Sequence, residues 1–349
     1  MSSSSTGTVS ASGYTIVENA SLEGRNTFRV LARADLLIDV RVPAALAEVL
    51  AFPHVRASKV FVLGGGSNLL FTRDWPGVVL SMSAHGARVI EDRGDAALIR
   101  VEAGELWNDF VHWSLGRGFT GLENLVLIPG SVGAAPIQNI GAYGREVSEF
   151  IATVEAWDRQ SGSLVRMDNA ACRFAYRDSL FKREPNRHVV TAVEFVLPRG
   201  GPLRIDYAGI GDELAAMGVA PSAPTVAEAV ARLRTRKLPN PAVIGNAGSF
   251  FKNPIVPATL AQQLKRDHAL LPAWPFGADA VKLAAAWLIE ESGLKGVREG
   301  DAGVSAQHAL VIVNHGRATG AQIWALAQRV QRTVADRFGV ELEPEPIVV

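Results

Sequence analysis

The sequence predicts an α+β chain of more than one domain, and three observations carry that expectation. At 349 residues the chain is too long for one small core. From about Asn26 onward, strand-like apolar runs alternate with helix-like 3.6-period stripes, and no repeat recurs at a period of roughly 20–50 residues. Between 209 and 224 the composition shifts to Gly, Ala and Pro, which reads as a seam between two halves that both mix strands and helices.

Each element has its own signal. The run 43–52 is a short amphipathic helix with Pro43 at its start, where a missing N–H costs nothing. KVFVL (59–63) is a strand that stops at three glycines, and GVVLSM (77–82) and ALIRVEAG (97–104) are further strands. Leu106, Trp107, Phe110, Val111, Ser114 and Leu115 form a helical stripe that Gly116 and Gly118 end. FIATVEAWD and SLVRMD flank Gln160-Ser161-Gly162 as a hairpin, and HVVTAVEFVLP follows as a strand. Beyond the seam a helix begins near Pro224, with Thr225 and Glu228 at capping-box spacing. Helices are expected at 259–267, at 281–292 before Gly293, and at 319–338, where Ile323, Ala327, Val330, Val334 and Phe338 share a face before Gly339. The strand HALVIVN (308–314) separates the last two. The Ser-rich start, MSSSSTGTVSASG, is expected to be a disordered tail reaching residue 22.

Charge narrows the partners. Lys+Arg and Asp+Glu stand at 35 each, so the broad positive field that tracks nucleic acid or an anionic bilayer is missing, and neither partner is expected. No apolar run is long enough for a membrane span, and the N-terminus has no signal core. Cys172 is the single cysteine and cannot form an internal disulfide, so a cytoplasmic location is expected. The seven histidines are scattered, with no HExxH or i, i+4 pair, and no metal site is expected.

Two glycine loops carry the chemistry. In LGGGSNLL (63–70), Gly64, Gly65 and Gly66 follow a strand, where bare backbone can curl around an anion. The Gly-Lys-Ser/Thr of a Walker loop is missing, as is the third glycine of a dinucleotide fingerprint. Taken alone, this loop is either a diphosphate nest or a turn between strands. The second stretch, GLENLVLIPGSVGAAPIQNIGAYG (121–144), has five glycines and one charge, Glu123. Its Pro129-Gly130 pair could be a plain turn. Gln138 and Asn139, however, add amides that can pair with a ring bearing donors and acceptors. Together the loops can enclose a long ligand with a diphosphate at its middle, and a flavin dinucleotide fits that description.

These loops occur in order with CRFAYRDSLFK (172–182), RKLPNP (236–241), GNAGSFFKNP (245–254), KLAAAWLIEESGLKG (282–296) and LEPE (342–345). The set resembles the UDP-N-acetylenolpyruvoylglucosamine reductases (MurB) across roughly residues 26–345. The resemblance implies non-covalent FAD in a two-lobed domain of the vanillyl-alcohol-oxidase (PCMH) type at 23–222, with lobes at about 23–80 and 81–222. It further implies an α+β substrate domain at 223–340, and a segment at 341–349 that returns to the active site. NADPH is the implied hydride donor and UDP-GlcNAc-enolpyruvate the acceptor, giving UDP-N-acetylmuramate for peptidoglycan precursors, in a monomer.

Carried over by motif, the family's catalytic arginine, serine and glutamate fall on Arg177, Ser249 and Glu345. FAD contacts are expected from Gly64, Gly65, Gly66, Ser67 and Asn68, and from Pro129, Gly130, Ser131, Gly133, Ala134, Gln138, Asn139, Gly141, Ala142 and Tyr143. Tyr176, Tyr207, Lys237, Asn253 and Lys282 are the implied substrate contacts, and Tyr207 in RIDYAG points to the type I form. Ala134 and Ala135 stand where hydroxyls would be unsurprising, which leaves phosphate binding there to backbone N–H groups.

The residue types suit a reduction of this kind. Hydride added to the terminal carbon of an enolpyruvate leaves an enolate beside a carboxylate, so cations and donors must already surround it. A guanidinium stays charged when buried and can grip a carboxylate with two hydrogen bonds. A carboxyl protonated by burial can donate where a carboxylate would repel. A serine can quench a carbanion more basic than itself. Each residue also has a plainer reading: Arg177 as a surface ion pair with Asp178, Ser249 as a turn residue, Glu345 in an exposed tail, Lys237 and Lys282 as solvated, Tyr207 as core. Two other functions fit parts of the pattern, an oxygen-using FAD oxidase of the same fold and a non-catalytic binder of UDP-sugars.

Overall fold

A computed structural model of the chain describes residues 7–349. Residues 1–6 of the expected tail lie outside the described residues. The remainder of that tail is a correction. Thr8–Ala11 and Tyr14–Ser21 pair as an antiparallel hairpin on the edge of a sheet. Gly13, at φ 104°, makes the turn, and Tyr14 and Ala20 are buried. The Ser-rich composition hides two anchors at period-2 spacing.

Two compact units emerge. The first comprises the described chain up to Ala20, Ala34–Gly66 and Trp75–Thr235; the second comprises Ser21–Arg33, Ser67–Asp74 and Arg236–Val349. The expected seam at 222/223 thus moves to 235/236. Its reason is the helix Ala223–Lys237, whose Val226, Ala227, Ala229, Val230 and Leu233 join the core of the first unit. That helix also starts earlier than its sequence suggests. Ser222 and Thr225 bond each other's side chains and backbone, so Ser222 rather than Thr225 caps the start.

The first unit contains two five-stranded sheets. In one, the strands Arg33–Val40 and Val60–Leu63 flank Trp75–Met82 in parallel, and the short helices Leu46–Ala51 and Pro53–Ala57 make the crossover. The central strand is buried over its last six residues, as a parallel strand covered on both faces must be. The other sheet is antiparallel, in the order Ser163–Asp168, Ile151–Asp158, His188–Pro198, Ala96–Glu102 and Ala87–Asp92. The helix Trp107–Leu115 is packed through Trp107 and Phe110 onto Phe195, with ring centroids 6.1 and 4.9 Å apart. Asp158 ends its strand by accepting from Gln160 N and from both Nε and Nη2 of Arg187, the residue before the next strand.

In the second unit a four-stranded sheet, Gly245–Ser249, Val311–Asn314, Ala302–Val304 and Arg298–Glu299, is covered by the helix Gly320–Phe338. Thr319 and Gln322 form its capping box, and Gly339 ends it in the left-handed conformation. A three-stranded sheet, Ile255–Pro257, Ala280–Leu283 and Ala273–Phe276, was not visible in the sequence. The expected helix at 281–292 is therefore corrected: 280–283 is strand, and the helix is Ala285–Glu291. Two short pieces from elsewhere complete the unit. Thr27 and Phe28 carbonyls accept from Asn246 N and Asn314 Nδ2, and Leu69–Leu70 pairs in parallel with Ile347–Val348.

Two outcomes follow from these contacts. A Cβ on Gly320 would lie 1.7 Å from the Phe71 carbonyl oxygen, so Gly320→Ala should cost at least about 1–3 kcal/mol in denaturant unfolding. Arg187 holds the Asp158 carboxyl well below the usual carboxylate range. A depressed folded pKa stabilises above the unfolded value near about 4, and that stability is lost as pH falls below it. Asp158→Asn should cost about 1–2 kcal/mol at neutral pH, and melting curves should show the gap closing below about pH 4.

Candidate functional site

The strand Val60–Leu63 delivers Gly64–Gly66 against the second glycine loop, all within the first unit. A Cβ on Gly65 would lie 2.8 Å from Gly130 Cα, and one on Gly64 would lie 2.9 Å from Ala134 Cβ and 3.0 Å from Ser131 Oγ. The second loop is fixed from behind. Gly130 O accepts from Trp107 N at 3.0 Å, Val132 N donates to Glu105 O at 2.8 Å, and Gly133 N donates to Ala103 O at 2.9 Å. Gly133 sits so close to Ala103 that a Cβ would come within 2.6 Å of it. Two uncharged backbones thus meet where side chains would have kept them apart. Such a cradle suits the diphosphate of a dinucleotide, whose oxygens accept from backbone N–H groups. The donor set therefore fits FAD.

Further along, the segment turns on strained residues. Of the eight non-glycine residues with positive φ among the described residues, Leu127 (57°), Asn139 (47°) and Tyr143 (49°) lie in it, and Arg177 (54°) lies against it. Three of these four are not the Asn or Asp that tolerate this region, and each costs roughly 1–2 kcal/mol. Strain of this kind clusters at functional sites. Asn139 departs from the sequence expectation. It is fully buried, its Nδ2 donates to Glu146 Oε2 and Ala175 O, and its Oδ1 accepts from Ser148 N. Its amide is spent inside the protein, whereas Gln138 remains half-buried. Glu123, the segment's charge, is also fully buried, and burial pushes its carboxyl up.

Arg177 is brought to the segment by its neighbours. Ser179 Oγ donates to Ile137 O and caps the helix Leu180–Arg183. Lys182 Nζ donates to Arg177 O. The Arg177 guanidinium donates to Gly141 O and lies over the Tyr176 ring at 5.3 Å. Asp178 pairs with Arg183 at 2.7 Å. Tyr207, half exposed, packs its ring 5.2 Å from that of Tyr143. Arg234 was not singled out by sequence. Its Nη2 donates to Leu127 O at 3.3 Å, and burial lowers its pKa, an effect that Tyr143 partly offsets. The missed signal was an arginine at the i, i+4, i+8 line of Val226 and Val230, where the buried stripe calls for an apolar residue.

The second unit holds the other site residues. Ser249 ends its strand after a bulge, with Gly248 left-handed and Phe250 N donating to Leu310 O. It is half-buried, and no hydrogen bond of its hydroxyl is found among the described residues. Glu345 lies beside it, its N–H donating to Phe250 O at 2.9 Å, while Phe251 bridges Pro344. Asn68 Nδ2 donates to Glu345 O at 3.2 Å, and Ile347 N to Asn68 O, so Ser67–Asn68 belong with this strand. Asn253 Oδ1 accepts from Ala285 N and caps the helix Ala285–Glu291. Lys282 stands on a strand, 5.8 Å over the Phe276 ring and opposite half-exposed Trp274. Lys237 is exposed; together with burial and Lys295 it lowers the pKa of His308. Of the three residues assigned to catalysis, Arg177 is in the first unit, and Ser249 and Glu345 are in the second. No helix of the described residues is long and apolar enough to cross a membrane.

Comparison with known proteins matches both parts. Residues 34–168 match the FAD binding domain, and residues 240–349 match the C-terminal domain of UDP-N-acetylenolpyruvoylglucosamine reductase. The expected fold class, an FAD-binding domain followed by a second α+β domain, is borne out. The reductase of that name from Pseudomonas aeruginosa is 52% identical over 330 residues, covering 94% of this chain and 97% of that protein. The one from Xylella fastidiosa is 51% identical over 329 residues, covering 94% of each. Among solved structures, the UDP-N-acetylenolpyruvylglucosamine reductase from Thermus caldophilus superposes with a TM-score of 0.66 at 24% identity, covering 98% of this chain and 99% of that one. With half its residues shared over almost its whole length, the chain belongs to the UDP-N-acetylenolpyruvoylglucosamine reductase family.

Proposed function

We propose that this FAD-dependent oxidoreductase takes hydride from NADPH and reduces the enolpyruvyl ether of UDP-N-acetylglucosamine to UDP-N-acetylmuramate. FAD is assigned to the first unit and most substrate contacts to the second. Bound FAD supplies two-electron hydride transfer between a nicotinamide and a carbon acceptor. The backbone N–H groups of Gly64, Gly65, Gly130 and Ser131 would receive its diphosphate where the two loops meet, with Pro129, Gly133 and Ala134 shaping the cradle, and Arg234 adds a cation.

Arg177 grips the substrate carboxylate and stabilises the enolate left when hydride adds to the terminal carbon. Glu345 in its acid form donates a hydrogen bond to that enolate. Ser249 gives its hydroxyl proton to the carbon beside the carboxylate, and the alkoxide is reprotonated by solvent. Tyr176, Tyr207, Lys237, Asn253 and Lys282 bind the rest of the nucleotide sugar. Asn253 does so through its amide nitrogen, since its oxygen caps a helix. The observation that carries this reading is the half-buried Ser249 hydroxyl, without a hydrogen-bond partner among the described residues, on the strand beside Glu345.

The direct test is anaerobic. NADPH should bleach the flavin band of the purified protein, and the enolpyruvyl nucleotide should restore it; failure of the second step would remove the acceptor assignment. Ser249→Ala should leave the bleaching rate unchanged and slow the return by about 10²–10⁴. Equal slowing of both half-reactions would refute the proton-donor role. Gly65→Ala should weaken FAD binding by about 5–150-fold, read as loss of yellow colour after purification and as a raised Kd on titration.

A further inference from the structure

We infer that Asn124 is a positioning residue that fixes the Tyr207 loop to the backbone of the 121–144 segment. The inference rests on the reading of Tyr207 as a substrate contact. Asn124 sits in the turn Glu123–Leu125 and is fully buried. Its Nδ2 donates to Tyr143 O at 2.9 Å and to Arg204 O at 2.8 Å. One amide nitrogen therefore joins two chain segments far apart in sequence, one bearing Tyr143 and the other Tyr207.

Between Gly200 and Tyr207 the chain has no helix or strand, so side chains set its course. Gly201 N donates to Thr120 Oγ1, Arg145 Nη2 to Pro202 O, and Asn124 to Arg204 O. Past Pro202, the Asn124 bond and the Tyr143–Tyr207 ring contact tie the loop to the 121–144 segment, while Ile210 N donates to Tyr207 O on the far side. Asn124 controls both, since it also holds the Tyr143 backbone in its left-handed turn. The residue type matters. A carboxylate has no proton to give, a hydroxyl has one, and only a primary amide offers two donors on one nitrogen at this reach.

The test uses the FAD-loaded full chain and Asn124→Ser. KM for the enolpyruvyl nucleotide should rise about tenfold, the ratio set by losing the net contribution of one or two hydrogen bonds. Trypsin should cut after Arg204 correspondingly faster, while kcat and flavin reduction by NADPH stay within about twofold. In a Tyr207→Ala background the same substitution should add nothing further to KM, because residues acting as a unit are not additive.

Unchanged KM and unchanged cleavage, or fully additive effects, would overturn the inference. Should Tyr207→Ala by itself leave KM untouched, the substrate role of Tyr207 fails, and faster cleavage after Arg204 still supports the hold of Asn124 on the loop. If Asn124→Ser does not fold, Arg145→Met removes the neighbouring tie at Pro202. Faster cleavage with a raised KM then supports a loop held from this side, and no change in either sinks it.

Discussion

Gly65 and Gly130 bring two backbones closer than any pair of side chains would permit, and much of the first unit is arranged to keep them there. From one side the parallel strand Val60–Leu63 ends directly at the contact. From the other, Trp107 N, Glu105 O and Ala103 O hold the second loop by main-chain hydrogen bonds. Trp107 does this twice over, since its Nε1 also donates to Leu125 O while its ring packs on Phe195. A helix N-terminus, a sheet and two loops are thereby registered to one another with few charges. The result is an uncharged backbone surface at Gly64, Gly65, Gly130 and Ser131, which is the chemistry a diphosphate needs.

That surface carries strain, and the ties around it show how the strain is sustained. Leu127, Tyr143 and Arg177 together cost on the order of several kcal/mol as left-handed residues. Leu127 N donates to Asn108 Oδ1, Tyr143 O accepts from Asn124, and the Arg177 turn is fastened by Ser179 and Lys182. Each tie is a hydrogen bond worth only about 1 kcal/mol net, so no single one suffices and the set must act together. The compensation comes from a small network rather than from a core. This explains why so many short polar residues crowd a region whose own segment has almost no charge.

How much of this was legible depended on whether the signal was local. Period and punctuation exposed the strands at 60–63 and 96–102, the hairpin around Gln160, and the last long helix with its cap at Thr319. The glycine loops and the flanking motifs exposed the cofactor and the candidate residues. What stayed hidden was set by partners distant in sequence. The hairpin of residues 8–21 lies in Ser-rich chain and forms because a sheet edge is available. The strand bearing Lys282 reads as helix because its neighbours at Ile255 and Trp274 are what make it a strand. Asn139 reads as a ligand contact until Glu146, Ala175 and Ser148 are seen to use its whole amide. Arg234 carries no signal of its own in a basic helix end until the fold sets its guanidinium against the Leu127 carbonyl.

The LGGGSNLL motif shows most plainly why a motif is not a structural unit. Its glycines belong to the first unit and its Ser67–Asp74 continuation to the second, with the division falling between Gly66 and Ser67. After that point the chain is claimed by other partners: Asn68 by Glu345, Leu69–Leu70 by Ile347–Val348, Thr72 by Val349, and Phe71 by the tight approach of Gly320. The covalent chain therefore runs directly from the glycine cradle into the strand pairing that locates Glu345. Glycine permits the close approach in the first half of the motif, and the ladder with Ile347–Val348 fixes the second half.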